Sequence, residues 1–362
     1  MTSFKKAILL VIVSSILWIT GCSPFVENNE IEEIAPVIFW SLDDAGEGKL
    51  KASTVVPPLV KEKQRLLTME VELLKQGGKT FNFKYYRELK TGQLRILLIN
   101  EELAKKGMKT IIDTVFSDPN ISQRLYLVIV RGNFEEYIKN ELQDDQENPD
   151  YFLYRMLKHY EEKHQGEMSI VNLHQFMEKL YGVYSDPILP VFKAEKGSFT
   201  YEGTAIFQGD KLISTVSHME DQIYQLIGND DYLKYLPMTN LSTVLGQVRS
   251  NTNMTLNQDL STLTVNVELT GTIDEYRGTK NLNDLAEITV LKTEIESYLE
   301  TKTKAFLQKN QEWNVDPLQI GTKTFTPFTK PMSEEKWFEK WSNMKINVNY
   351  HLELEPLIDV QD

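Results

Sequence analysis

The 362-residue sequence predicts an α+β fold, with a mixed α/β N-terminal region followed by a C-terminal antiparallel sheet that one long helix covers. Two apolar runs, LRILLI (94–99) and LYLVIV (125–130), read as buried strands, and the helical stretches between them make a crossover unit with parallel pairing. In LTVNVELTGTI (263–273), Leu263, Val265, Val267 and Leu269 alternate with Thr264, Asn266, Glu268 and Thr270, the pattern of a half-buried strand. Residues 284–309 carry Leu285, Ile288, Leu291, Ile295, Tyr298, Leu299 and Phe306 as one apolar helix stripe, for which that sheet is the natural cover.

The remaining elements follow in order. IAPVIFWSLDD (34–44) reads as a strand, AGEGK as a turn and LKASTVV (50–56) as the return strand, closed by Pro57 and Pro58. LLTMEVELL (66–74) predicts another strand, KQGGK (75–79) a turn, and 81–89 a helix. Asn100 is placed to cap the helix EELAKKG, and a second helix, MKTIIDTVFSD, stops at Pro119. The charged stretch 139–150 reads as a linker, two helices occupy 151–164 and 171–182, and Pro187 and Pro190 interrupt the chain. TAIF and KLISTV around the turn QGD predict a hairpin that opens a separate module. A helix at 219–229, the helix EEKWFEKW (334–341) and the alternating strand KINVNYHLEL (345–354) complete the chain. The expected division is 34–143, an N-terminal mixed α/β domain; 147–196, a mostly helical middle domain; and 197–362, the C-terminal α+β domain.

Cys22 is the sole cysteine, which rules out an intramolecular disulfide and a cysteine-rich metal site. Net charge is −13, so the surface as a whole repels nucleic-acid phosphates and anionic lipid headgroups; attachment is expected from a lipid and not from a basic patch, and no nucleic-acid partner is expected. None of His159, His164, His174, His218 and His351 has zinc-site spacing, and there is no GxSxG elbow. Glu294 with Glu296, and Glu334 with Glu335, sit at helix spacings that do not face each other. Gly132 ends the second apolar strand, where open α/β sheets hold ligands, but no glycine-rich phosphate loop accompanies it. The expectation is no catalytic residue, no metal and no cofactor. Trp337 and Trp341 lie one helical turn apart; packing of the last helix is the default reading, and a protein-interaction surface is the alternative.

The N-terminus carries the clearest motif. Lys5 and Lys6 precede an apolar run from Ala7 to Ile19, shorter than the roughly 20 residues a spanning helix needs. A short membrane anchor or a packed terminal helix is the bland reading, and neither explains a cysteine directly after Thr20 and Gly21. Ile19, Thr20, Gly21 and Cys22 resemble the lipobox of bacterial lipoproteins. That resemblance implies a signal peptide over 1–21, peptidase recognition through Ile19, Thr20 and Gly21, a diacylglyceryl thioether on Cys22, and a lipidated tether over 22–33.

Four segments together resemble the Ger(x)C family, the lipoprotein C subunits of endospore germinant receptors. They are the lipobox, residues 94–132, the hairpin EGTAIFQGDKLIS, and the closing region with the long helix, DPLQIGTKTF and the final strand. Glu101, Glu102, Leu103, Ala104, Lys105, Gly107, Asp118, Pro119, Ile121 and Gly132 match the family pattern in the second segment. The chain departs from it after Cys22, where Ser23, Pro24 and Phe25 stand in place of Trp-Asp. The resemblance implies an elongated, three-domain, non-enzymatic lipoprotein on the outer face of the spore inner membrane. Its implied partners are membrane-embedded A and B receptor subunits and the lipid bilayer. The alternative reading is an extracytoplasmic solute-binding lipoprotein, with an extracytoplasmic hydrolase a distant third.

Overall fold

The structure is a computed structural model and describes residues 33–58, 64–143, 149–163, 166–228, 232–327 and 330–355. The lipobox residues Ile19, Thr20, Gly21 and Cys22 lie outside the described residues, as does His164.

The stretch 34–44 forms two strands, not one: β1 (Ile34–Pro36) pairs in parallel with β5 (Glu88–Lys90), and β2 (Phe39–Gly46) joins the main sheet. β2, β3 (Lys49–Val56) and β4 (Arg65–Val71) form an antiparallel meander. The expected strand through Leu74 stops at Val71, and KQGGK is no turn but the first turns of helix α1 (Leu74–Lys84). A Cβ on Gly77 would sit 3.0 Å from Val71 Cγ1, so this glycine serves close helix-to-strand packing and not a turn.

The crossover region is as expected. β6 (Ile96–Asn100) leads into α2 (Glu101–Lys106), whose first turn the Asn100 side chain caps by accepting from Glu102 N at 2.9 Å; α3 (Lys109–Phe116) and β7 (Tyr126–Gly132) follow. β6 and β7 pair in parallel and bury both faces. Leu97, Ile99, Leu127 and Ile129 pack one way with α2, α3 and α6 (Leu173–Tyr181). Ile96, Leu98, Val128 and Val130 pack the other way with α4 (Phe134–Gln143) and α5 (Pro149–Lys163). Burial on two faces is why both strands read as continuous apolar runs. Helices α4 and α5 enter the charged stretch 139–150 from both sides and cover the same sheet face.

β8 (Ile188–Glu195), β9 (Ser198–Gln208) and β10 (Lys211–Ser217) complete an eight-stranded sheet of order β10-β9-β8-β7-β6-β2-β3-β4. The predicted hairpin is present as β9 and β10 and forms one edge of the large sheet. One sheet thus draws strands from all three segments, 34–143, 147–196 and 197–362. At Gly132, φ is +93° and an added Cβ would lie 2.4 Å from Ala194 O. The glycine permits close pairing of β7 with β8, which accounts for its place without a ligand.

The second sheet runs β11 (Tyr232–Met238), β12 (Thr243–Leu256), β13 (Thr262–Tyr276) and β14 (Lys345–Leu354). The first three pair antiparallel; β14 joins β13 in parallel after the crossover made by α8 (Leu285–Trp313) and α9 (Glu334–Asn343). α8 lays Leu291, Ile295, Leu299 and Phe306 on Leu263, Val265, Val267 and Leu269, all buried. Leu285, counted in the predicted stripe, is 81% exposed, because the first turn of α8 overhangs the sheet.

Candidate functional site

Two places are tied by buried polar groups: the start of the described chain at Glu33, and the junction of the two larger sheets. The first is fixed by Arg87, which is 3% exposed. Its guanidinium donates to Pro57 O at 2.9 Å and to Ile34 O, tying the end of β3 to β1, while Glu88 N donates to Glu33 O at 2.7 Å. The chain that follows Cys22 therefore enters the protein at a rigid position next to β5. A buried arginine within a run of alternating aromatics and charges gave no sequence signal, since its partners are main-chain carbonyls distant in the chain.

The junction is built on α7 (His218–Gly228), which follows β10 directly and buries Asp221, Gln222, Ile223, Gln225, Leu226 and Ile227. The core is continuous across it: Ile188, Ile206 and Val216 of the large sheet cluster with Leu233, Leu245 and Val265 of the small one. Asp221 is fully buried and accepts from Ser169 N at 2.9 Å, Tyr201 OH at 2.7 Å and the Ser169 hydroxyl. Gln225 Nε2 donates in turn to Ser169 Oγ at 2.6 Å. Burial pushes the Asp221 carboxyl up from its ordinary range, against the pull of these donors. The loop before α6, β9 and α7 are thus cross-linked by one buried acid.

A second acid pair holds the far side. Asp186 accepts from Gly209 N at 2.9 Å and Asp316 N at 2.8 Å; Asp316 accepts from Ile320 N at 2.8 Å and Gly321 N at 2.7 Å. Lys179 of α6 donates to Pro317 O at 3.0 Å, and burial lowers its ammonium pKa. Burial raises the Asp316 carboxyl from 3.8 to about 7, and raises Asp186 as well. A group whose pKa is raised by folding contributes stability that is full below its ordinary value and is lost as pH climbs through the raised one. Wild-type protein should therefore exceed Asp316→Asn in stability most at about pH 4 and below, with the gap narrowing as pH climbs to about 7. Urea unfolding of both proteins across that range checks this; a gap independent of pH would contradict it.

Trp337 and Trp341 lie here too, and they correct the surface reading. Both are fully buried, stacked with centroids 5.9 Å apart, and Trp341 Nε1 donates to Val315 O at 2.9 Å. They form core, not an exposed contact surface, because α9 turns that face onto the 310 segment Ile320–Thr324 and Tyr184. Gly321 is needed beneath them: a Cβ there would lie 2.6 Å from Tyr184 Cβ and 2.8 Å from Trp337 Cε2.

Other ionisable groups tie elements together. Arg131 pairs with Glu101 at 2.8 Å and Glu202 at 2.6 Å, joining α2, β7 and β9, and its guanidinium holds the Glu101 carboxyl below the usual range. His218 Nε2 bonds Glu167 O at 2.8 Å, and His159 packs edge-on against Tyr160. Among the described residues no group of three or more His, Cys, Asp or Glu is arranged to hold a metal ion, and no helix is long and apolar enough to cross a membrane. A cleft of about 540 Å³ opens between the two sheets' bodies, walled by Ser169, Gln175, Lys179, Tyr224, Gln225 and Leu318.

The geometry defines an α+β protein of three sheets, with buried acids fastening the bodies of the two larger ones to each other. Two family models match it in tandem: "Spore germination protein N-terminal domain" over residues 27–194 and "Spore germination B3/ GerAC like, C-terminal" over 202–356. The chain belongs to the GerAC/GerQC family of spore germination proteins. Spore germination protein GerQC of Bacillus cereus is 22% identical over 95% of this chain and 96% of its own length. The putative spore germination protein YfkR of Bacillus subtilis (strain 168) is 20% identical over 72% of this chain and 71% of its own length. The crystal structure of the GerBC protein shares the fold, with TM-score 0.56 and 15% identity over 88% of this chain and 97% of that one. Family membership makes the chain a non-catalytic germinant-receptor subunit. The boundary between the two family segments falls between β8 and β9, inside the large sheet, and so does not coincide with the boundary between sheets.

Proposed function

We propose that the chain is the lipid-anchored C subunit of a spore nutrient germinant receptor, held on the outer face of the spore inner membrane by a diacylglyceryl group on Cys22. In this reading it assembles with membrane-embedded A and B subunits and supports germination signalling by assembly, not turnover. The observation that carries it is the pairing of a lipobox at 19–22 with a full-length match to spore germination proteins. Confinement at a bilayer raises the effective concentration of the folded part towards membrane partners, so a modest interface suffices. The continuous core and buried hydrogen bonds across the junction suit that role, since they hold together the surface presented to a partner.

The test is recovery of the chain by affinity tag from detergent-solubilised spore membranes. Two polytopic membrane proteins are expected to copurify, and their reproducible absence would contradict the reading. A second reading, an extracytoplasmic solute-binding lipoprotein, draws on the cleft between the sheets. It predicts small-molecule binding by the isolated chain without membrane partners.

A further inference from the structure

Helix α1 is bare on its outer side. Leu74, Gly77 and Phe81 face β4 and β5, whereas Lys75 and Lys79 on the helix, Phe83 in its last turn and Tyr86 two residues beyond its end are exposed. Phe83 is 90% exposed and Tyr86 and Leu73 about two-thirds exposed, at 64% and 65%, in a protein that buries most of its large apolar side chains. The helix has three lysines and no acid, within a chain of net charge −13. The nearest exposed acids in sequence are Glu72 and Glu88, and Glu88 pairs with Lys90 at 2.9 Å. Aromatic side chains interleaved with lysines are what an anionic bilayer interface takes up.

Position supplies the occupant. β5 follows α1 within a few residues and pairs with β1, so the chain leading back to Cys22 leaves the fold at Glu33, which is bonded to Glu88, two residues after Tyr86 and five after Phe83. The eleven Cα–Cα steps from Cys22 to Glu33 span at most about 40 Å. We infer that α1 is a second membrane contact, in which Phe83 and Tyr86 enter the interface of an anionic bilayer and Lys75 and Lys79 meet lipid phosphates. The inference rests on the reading of Cys22 as the lipid anchor, and it goes beyond it by fixing which side of the protein faces the membrane. One acyl-bearing residue allows the protein to swivel; a second contact at α1 gives it one orientation.

The sole native cysteine makes the test direct, because an acylated Cys22 has no free thiol. The acylated chain carrying Phe83→Cys, or Leu285→Cys on the overhanging turn of α8 as reference, is labelled with a fluorophore and reconstituted into phosphatidylglycerol–phosphatidylcholine vesicles bearing a nitroxide lipid. The label at position 83 should be quenched and that at 285 should stay bright. Adding Lys75→Glu and Lys79→Glu should lower the docked-to-free ratio at position 83 by about tenfold. Equal emission at 83 and 285 overturns the inference, as does quenching at 83 that the charge reversal leaves unchanged. Labelling of the unsubstituted chain at Cys22 would count against the anchor alone, since quenching at position 83 still reports on the α1 face.

Discussion

Trp341→Ala lowers the unfolding free energy by about 3–5 kcal/mol, the range for emptying a fully buried large aromatic site. The indole is 0% exposed, stacked on Trp337 at 5.9 Å, and its N–H is the partner of Val315 O at 2.9 Å. Truncation removes the stacking and leaves a buried carbonyl without that donor, so the cavity and the lost hydrogen bond act in the same direction. The backbone of α9 also holds Gln311 of α8, whose amide donates to Trp341 O at 2.7 Å and Met344 O at 2.8 Å, so a shift of the helix loosens α8. Trp341→Phe keeps most of the volume and loses the donor, and should cost about 1–2 kcal/mol. Urea unfolding followed by circular dichroism measures both. Wild-type stability for Trp341→Ala would mean the indole is not packed as described.

Cys22→Ala should move the chain from the membrane fraction to the wash, with no diacylglyceryl mass on the protein. Each buried acyl CH2 contributes roughly 0.8 kcal/mol, so two chains outweigh any contact the protein surface makes. The uncut run from Ala7 to Ile19 is too short to replace them as a span. Fractionation of spores and vegetative cells, with quantification of the chain in each pool, reads the outcome. Retention equal to wild type would remove the lipid-anchor reading.

Much of the fold was legible because its strongest elements bury whole faces. LRILLI and LYLVIV declare two-sided burial, and Leu263, Val265, Val267 and Leu269 declare one-sided burial by alternation. Local chemistry misled where a tertiary contact won. Gly77 and Gly78 read as a turn but lie inside α1, where Gly77 lets the helix approach Val71. Pro187 and Pro190 suggested a break, yet β8 runs through Pro190, pairing with Thr204 of β9, and carries the large sheet onward. The fastening acids Asp186, Asp221 and Asp316 could not be found in advance, since their partners lie up to 130 residues away and are mostly backbone groups. The lipobox-like run Ile19, Thr20, Gly21 and Cys22 is a reading of the sequence alone and lies outside the described residues.

Intact-mass spectrometry of the protein purified from native membranes tests the central claim most directly. The account predicts a chain that begins at Cys22, lacks residues 1–21 and carries the added mass of a diacylglyceryl group on its first residue. A chain that retains its leader with an unmodified thiol would contradict it.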